Sequence, residues 1–124
     1  MPVYIVAGDE MQKIMKGMFP ERETIPFRED LSKGSTEKRI PDDEFIRERA
    51  AFWGVSEAEY RENFDGILKL NPLNEYILCF GEDDCCRANL AFMIAYLKAI
   101  GYEKPIRVMI VNEITLEVIR EYEA

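Results

Sequence analysis

Two segments of this chain share one local pattern, an apolar run that ends in Gly followed by acids: Val3-Tyr-Ile-Val-Ala-Gly-Asp-Glu10 and Tyr76-Ile-Leu-Cys-Phe-Gly-Glu-Asp-Asp84. A short apolar run closed by a tight turn, with helical periodicity after it, reads as a buried parallel strand feeding a helix. Two such units constrain the chain to an α/β fold. Parallel strands need crossover connections, and ligands of open α/β sheets bind in the crevice outside the carboxyl ends of the strands. If the two runs lie side by side, their acidic ends meet at that crevice.

The remaining elements follow from spacing. Met11, Ile14, Met15 and Met18 repeat at helical intervals after Asp9, which is expected to cap the helix with Gln12 three residues on, and Pro20 closes it. Thr24 to Phe27 is a short strand, and Pro26 confines it to the sheet edge because it offers no N–H to a ladder. Phe45, Ile46, Arg49, Phe52 and Trp53 stripe a helix that ends at Gly54, and Ser56 with Glu59 opens another, striped by Tyr60, Phe64, Ile67 and Leu68. Asn71-Pro72 breaks that helix. A strand follows at 76–80, then a long apolar helix at 84–100, with Gly101 as its stop. Ile106 to Val111 is a fourth strand. The tail from Glu113 fits both a helix and an alternating strand, and an antiparallel edge strand is favoured. Right-handed crossovers then give a three-layer, Rossmann-like (flavodoxin-like), mostly parallel sheet of order 2-1-3-4, in one domain spanning 1–124.

Composition narrows the function. The 124 residues, 48% of them hydrophobic, suit a single core. A net charge of −8 argues against non-specific nucleic-acid binding and against an anionic membrane surface, and it suits cations or basic partners, or simply solubility. No stretch reads as a signal peptide or a transmembrane helix, so a cytoplasmic location is expected. Three Cys, with Cys85 and Cys86 adjacent, fit reduced thiols rather than a disulfide framework. Cys85 and Cys86 near a helix N-terminus could be acidified, or could simply pack in the core. There is no His. A Ser-His-Asp or Cys-His machine and a His-ligated zinc are thereby removed, and any catalysis must rest on carboxylates, Lys, Tyr, Cys or a metal held by oxygen.

Candidate binding residues cluster in two places. Asp9, Glu10, Glu82, Asp83 and Asp84 are expected to converge at the switch point, where they could hold Mg²⁺ or Mn²⁺ or share a proton; capping of helix N-termini is the plainer role of Asp9 and of Asp83 with Asp84. The second cluster is Arg28-Glu-Asp-Leu-Ser-Lys-Gly34, where Arg28, Ser32, Lys33 and the N–H groups around Gly34 could receive a phosphate or carboxylate and Asp30 a hydroxyl or cation. As an alternative, this cluster is simply a solvated loop; Leu31 to Pro41 reads as a polar loop longer than most connections in a compact domain. Arg49, alone among apolar residues of its stripe, either snorkels to solvent or enters the cleft as an anion-binding group with Trp53 as a stacking surface. Neither GxGxxG nor GxxxxGK[ST] occurs.

These same segments, Val3 to Asp9, Ile25-Pro-Phe-Arg-Glu-Asp-Leu-Ser-Lys-Gly34, Ile46 to Trp53, and Cys79-Phe-Gly-Glu-Asp with the apolar helix after it, give the chain its resemblance to a bacterial family known as domain of unknown function 1835. The resemblance spans roughly residues 3 to 111, and its most specific part is Asp-Leu-Ser-x-Gly. It implies a shared site at Asp9, Arg28, Asp30, Ser32 and Gly34 without implying an activity. Family members often carry Ser after Gly-Asp, whereas Glu10 stands here, so a serine nucleophile is missing at that position.

Two functions are expected from these residues. In the first, the domain binds a small phosphorylated or nucleotide-like ligand, with Arg28, Lys33 and Arg49 meeting the anion and Asp9, Asp30 and Asp83 holding hydroxyls or a divalent metal. In the second, it is an acidic interaction or inhibitor protein that presents carboxylates to a basic partner surface, without catalysis. A homo-oligomer is compatible with either.

Overall fold

The computed structural model describes residues 2–34 and 40–124. Its elements are β1 (Val3–Val6), α1 (Asp9–Met18), β2 (Glu23–Pro26), α2 (Asp43–Trp53), α3 (Glu57–Asn63), α4 (Asp65–Leu68), β3 (Tyr76–Phe80), α5 (Asp84–Ala99), β4 (Arg107–Val111) and β5 (Val118–Glu123). They build one five-stranded sheet of order β2-β1-β3-β4-β5. β1 pairs in parallel with β2 and β3, β3 with β4, and β5 closes the far edge antiparallel to β4. The Pro26 strand thus lies on the edge, where its missing N–H leaves no ladder bond unmade.

Alternation along the strands separates two cores. Val3, Ile5, Leu78, Phe80, Val108 and Ile110 face one side and pack with α2 to α5. Val6, Cys79 and Val111 face the other, where Met11 and Met15 of α1 and Leu116 cover them. β3, covered on both faces, is buried at all five positions. In the larger core, Phe27 stands edge-on to Phe64 with ring centroids 5.3 Å apart and to Phe92 at 5.9 Å. Such contacts add roughly 0.5–1.5 kcal/mol each beyond their area. The Phe27 N–H also donates to the Val6 carbonyl at 2.8 Å, so the chain leaving β2 is fixed across the carboxyl end of β1 before the candidate site begins.

Side chains cap the starts of α2, α3 and α5, the last two as expected. The carboxylate of Asp42 accepts the Phe45 N–H, the Ser56 hydroxyl that of Glu59, and Asp83 that of Cys86. α1 departs from expectation: Gly8 occupies the cap position, Asp9 is the first helical residue and makes no side-chain cap, and the Gln12 amide turns to Thr24 Oγ1 at 3.1 Å. The helix expected from Ser56 to Leu68 is broken at Phe64 into α3 and α4. The buried Phe64 ring, 1% exposed, is drawn into the aromatic core, and tertiary packing there overrides continuous helix. The tail is the antiparallel edge strand, with Ile114 and Leu116 in the turn before it. Of the expected 31–41 loop, Ser35 and Thr36 lie outside the described residues.

Candidate functional site

The segment after β2 runs Phe27-Arg-Glu-Asp-Leu-Ser-Lys-Gly34 along the carboxyl edge of the sheet, and its conformation is set by a carboxylate the sequence did not single out. The Glu29 side chain is 1% exposed. It accepts five donors: Arg49 Nε at 2.9 Å and Nη2 at 2.8 Å, Trp53 Nε1 at 2.7 Å, the Tyr60 hydroxyl at 2.7 Å, and the Asp30 N–H at 2.9 Å. Burial by itself would raise its pKa, but the hydrogen bonds from Arg49, Tyr60 and Asp30 together with the Arg49 charge outweigh it, and the carboxyl titrates below its ordinary range. The same carboxylate, after burial, pushes the Tyr60 phenol upward.

Arg49 is equally spent. Besides its fork on Glu29, it donates from Nη1 to the Lys33 carbonyl at 2.7 Å and from Nη2 to the Asp30 carbonyl at 3.0 Å. Its side chain is 1% exposed. The guanidinium therefore neither snorkels nor faces the cleft: it nails the 29–33 backbone to α2. Gly34 belongs to this joint. Its φ of +76° is left-handed, and a Cβ there would sit 2.7 Å from Arg49 Nη1 and 3.0 Å from the Phe52 ring. From the other side, Asn89 of α5 accepts the Leu31 N–H at 3.0 Å and donates to the Glu29 carbonyl at 2.8 Å.

This scaffold presents a cleft of about 330 Å³ whose walls include Arg28, Asp30 and Trp53, with Tyr60 and Asn63 of α3 opposite. Arg28 keeps 45% of its side chain exposed and pairs with the outward-facing Asp9 at 2.8 Å. The Trp53 indole, held through its N–H to Glu29, is 42% exposed and edge-on to Phe52. Asp30 takes the Ser32 N–H and hydroxyl and lies 3.9 Å from Lys33 Nζ; these partners lower its pKa, the Ser32 hydroxyl most. Arg28, Asp30 and Trp53 are brought to one cleft, with Ser32 and Lys33 attached to it through Asp30. Arg49 and Gly34 stand behind it.

The acidic residues expected at the switch point separate. Asp9 turns towards β2 and Arg28, whereas Asp83 turns towards β4. Among the described residues, Asp9, Asp30 and Asp83 do not form a common set of ligand atoms; the set that does form is Asp83, Cys86 and Glu113, whose ligand atoms lie within 4.8 Å of one another. The Cys86 thiol donates to Glu113 Oε1 at 3.4 Å. Burial first, then the Asp83 charge, raises the Glu113 pKa, and burial with the Glu113 and Asp83 charges pushes the Cys86 thiol far up. A thiol with two carboxylates suits a borderline ion such as Zn²⁺ better than Mg²⁺ or Mn²⁺. Cys85 is not acidified either: burial and its hydrogen bond to Asp30 push it up to about 11. Burial comes first for both thiols, and the carboxylates around the start of α5 add to it.

Glu29, Tyr60, Asn89 and Glu113 escaped sequence reasoning. One signal was present for Glu29, because an Arg in an apolar stripe, if buried, requires a carboxylate partner. The fold and the cleft define a class, a small α/β domain with a cleft beside the segment that follows β2. No protein-family model, curated protein or solved structure gives a significant match to the chain. Among the described residues no helix is long and apolar enough to cross a membrane.

Proposed function

We propose that the protein binds a small phosphorylated, nucleotide-like ligand in the cleft beside Trp53. The observation that carries this reading is the meeting of an exposed guanidinium (Arg28), a carboxylate (Asp30) and an aromatic face (Trp53) around one cavity of about 330 Å³. Stacking on the indole supplies affinity for a flat ring, Arg28 exchanges Asp9 for the ligand's anion, and Asp30 accepts from a hydroxyl or receives a divalent cation carried by the phosphates. The buried Glu29–Arg49 pair fixes these groups beforehand, which lowers the entropic cost of binding. We also assign the chain, on Ile25 to Gly34, to the bacterial family it resembles, as a cytoplasmic protein.

Trp53 is the only tryptophan, so its fluorescence reports the cleft directly. Nucleoside mono-, di- and triphosphates and ribose 5-phosphate, each with and without Mg²⁺ or Mn²⁺, are expected to include one that quenches Trp53 and raises the unfolding temperature. Arg28→Gln and Asp30→Asn should each weaken that ligand about tenfold, the worth of one charge-assisted hydrogen bond. A panel that leaves both fluorescence and unfolding temperature unchanged overturns the proposal.

A further inference from the structure

A second cavity, of about 380 Å³, lies on the far side of the sheet from β2, between α5 and the β4–β5 edge. Its origin is topological. Tyr122 and Arg120 of β5 register against Val108 and Ile110 of β4 and so share their face, the one α5 packs on. β5 nevertheless extends the sheet beyond α5, and a trough remains between the helix flank and the last strand. Arg87, Leu90, Ala91 and Ile94 recur at helical spacing and form one wall, Arg120 and Tyr122 form the other, and Ile110 is the floor.

The chemistry is that of an amphiphile. Leu90 and Ile110 are 8% and 4% exposed, which gives the cavity an apolar base. At its rim stand two guanidiniums, and among the described residues neither has an acidic partner. Arg120 stacks over the Tyr122 ring at 5.3 Å, and the exposed Arg87 lines the opposite wall. In a chain with 24 acids and 16 Lys and Arg, two cations with no ion-pair partner among the described residues facing one apolar trough are a departure from the average surface. Glu82 shares the rim, so two positive charges and one negative leave a net of one positive charge. That favours a monoanion over a dianionic phosphate.

We propose that this cavity is a second ligand site, distinct from the Trp53 cleft, which takes a monocarboxylate with an apolar body. The carboxylate sits between Arg87 and Arg120, and the body lies along Leu90, Ile94 and Tyr122. The volume falls within the roughly 300–1,000 Å³ usual for small-molecule pockets, and charged groups at the mouth with apolar groups beneath are the arrangement that orients such a ligand.

The test uses sodium octanoate as the probe, with octanol and octylammonium as controls, on isotope-labelled protein followed by NMR. Octanoate is expected to shift the resonances of Gly81, Leu90, Ile94 and Tyr122 and to leave the Trp53 indole N–H in place. It should bind about tenfold more tightly than octanol, and Arg87→Gln with Arg120→Gln should remove that preference while retaining weak octanol binding. Both arginines are exposed, and an unchanged spectrum away from the cavity checks that the variant folds. Equal binding of octanoate and octanol by the unmodified protein overturns the proposal without recourse to any variant. So do octanoate shifts centred on Trp53, or no shifts at all.

Discussion

At the scale of single residues, the buried ion pair of Glu29 and Arg49 is the most sensitive to loss of one partner. Each satisfies the other in a place where neither could be charged alone, and removing one partner of a buried ion pair costs about 3–5 kcal/mol. Glu29→Gln is therefore expected to destabilise by that amount in urea unfolding, and adding Arg49→Met should recover much of it by removing the orphaned charge. A single variant as stable as the parent would show the pair to be dispensable. Acid sensitivity has the same source. The folded-state pKa of Glu29 lies below its unfolded value of 4.5, so its contribution is fully present above that value and is lost as pH falls through the folded pKa. Acid unfolding of the parent, compared with the Glu29→Gln, Arg49→Met double variant, should show the steeper loss below about pH 4.5. Glu113 has the opposite sign. Its raised pKa means the fold disfavours its charge, so Glu113→Gln should be at least as stable as the parent at pH 7, with any gain vanishing below its unfolded value of 4.5.

At the scale of elements, the 27–34 segment behaves as part of the core although it has no regular structure. It is latched to β1 by the Phe27 N–H, to α2 by Arg49, to α3 by Tyr60 and to α5 by Asn89. Asn89→Ala leaves the Leu31 N–H and the Glu29 carbonyl unpaired, at about 1–3 kcal/mol per buried group. Amide exchange at Leu31 should accelerate in that variant, and unchanged exchange would place the latch elsewhere. Gly34→Ala should destabilise through both its left-handed backbone and its clash with Arg49 Nη1. The helices themselves were legible from caps and stripes: Ser56 and Asp83 cap where the sequence places them. The break at Phe64 and the uncapped Asp9 were not, because competition for the aromatic core and the pull of Arg28 on Asp9 lie outside the local pattern.

At the scale of the whole molecule, the central strand β3 and the helix α5 are the most deeply buried, whereas every residue of β5 is exposed. The charges of Arg120, Glu121 and Glu123 on that edge discourage pairing with another chain. Native-state hydrogen exchange should accordingly find the highest protection in β3 and the lowest among strands in β5. Equal protection across the sheet would require another layer over β5.

Strand order, the crossovers and the edge position of β2 were determined by the sequence alone, because period, run length, Pro and Gly act over a few residues; the cleft itself lies beside the segment after β2 and the ends of α2 and α3 rather than at the crevice between β1 and β3. Only the tertiary structure decided that Glu29 would be joined by Arg49, Trp53 and Tyr60, which lie 20, 24 and 31 positions further along the chain. It also decided that Asp83 would turn to Cys86 and Glu113 rather than to Asp9. No spacing rule encodes such meetings. They depend on how far α2 and α3 carry their side chains back over the end of the sheet, and on which charge is cheapest to bury once they arrive.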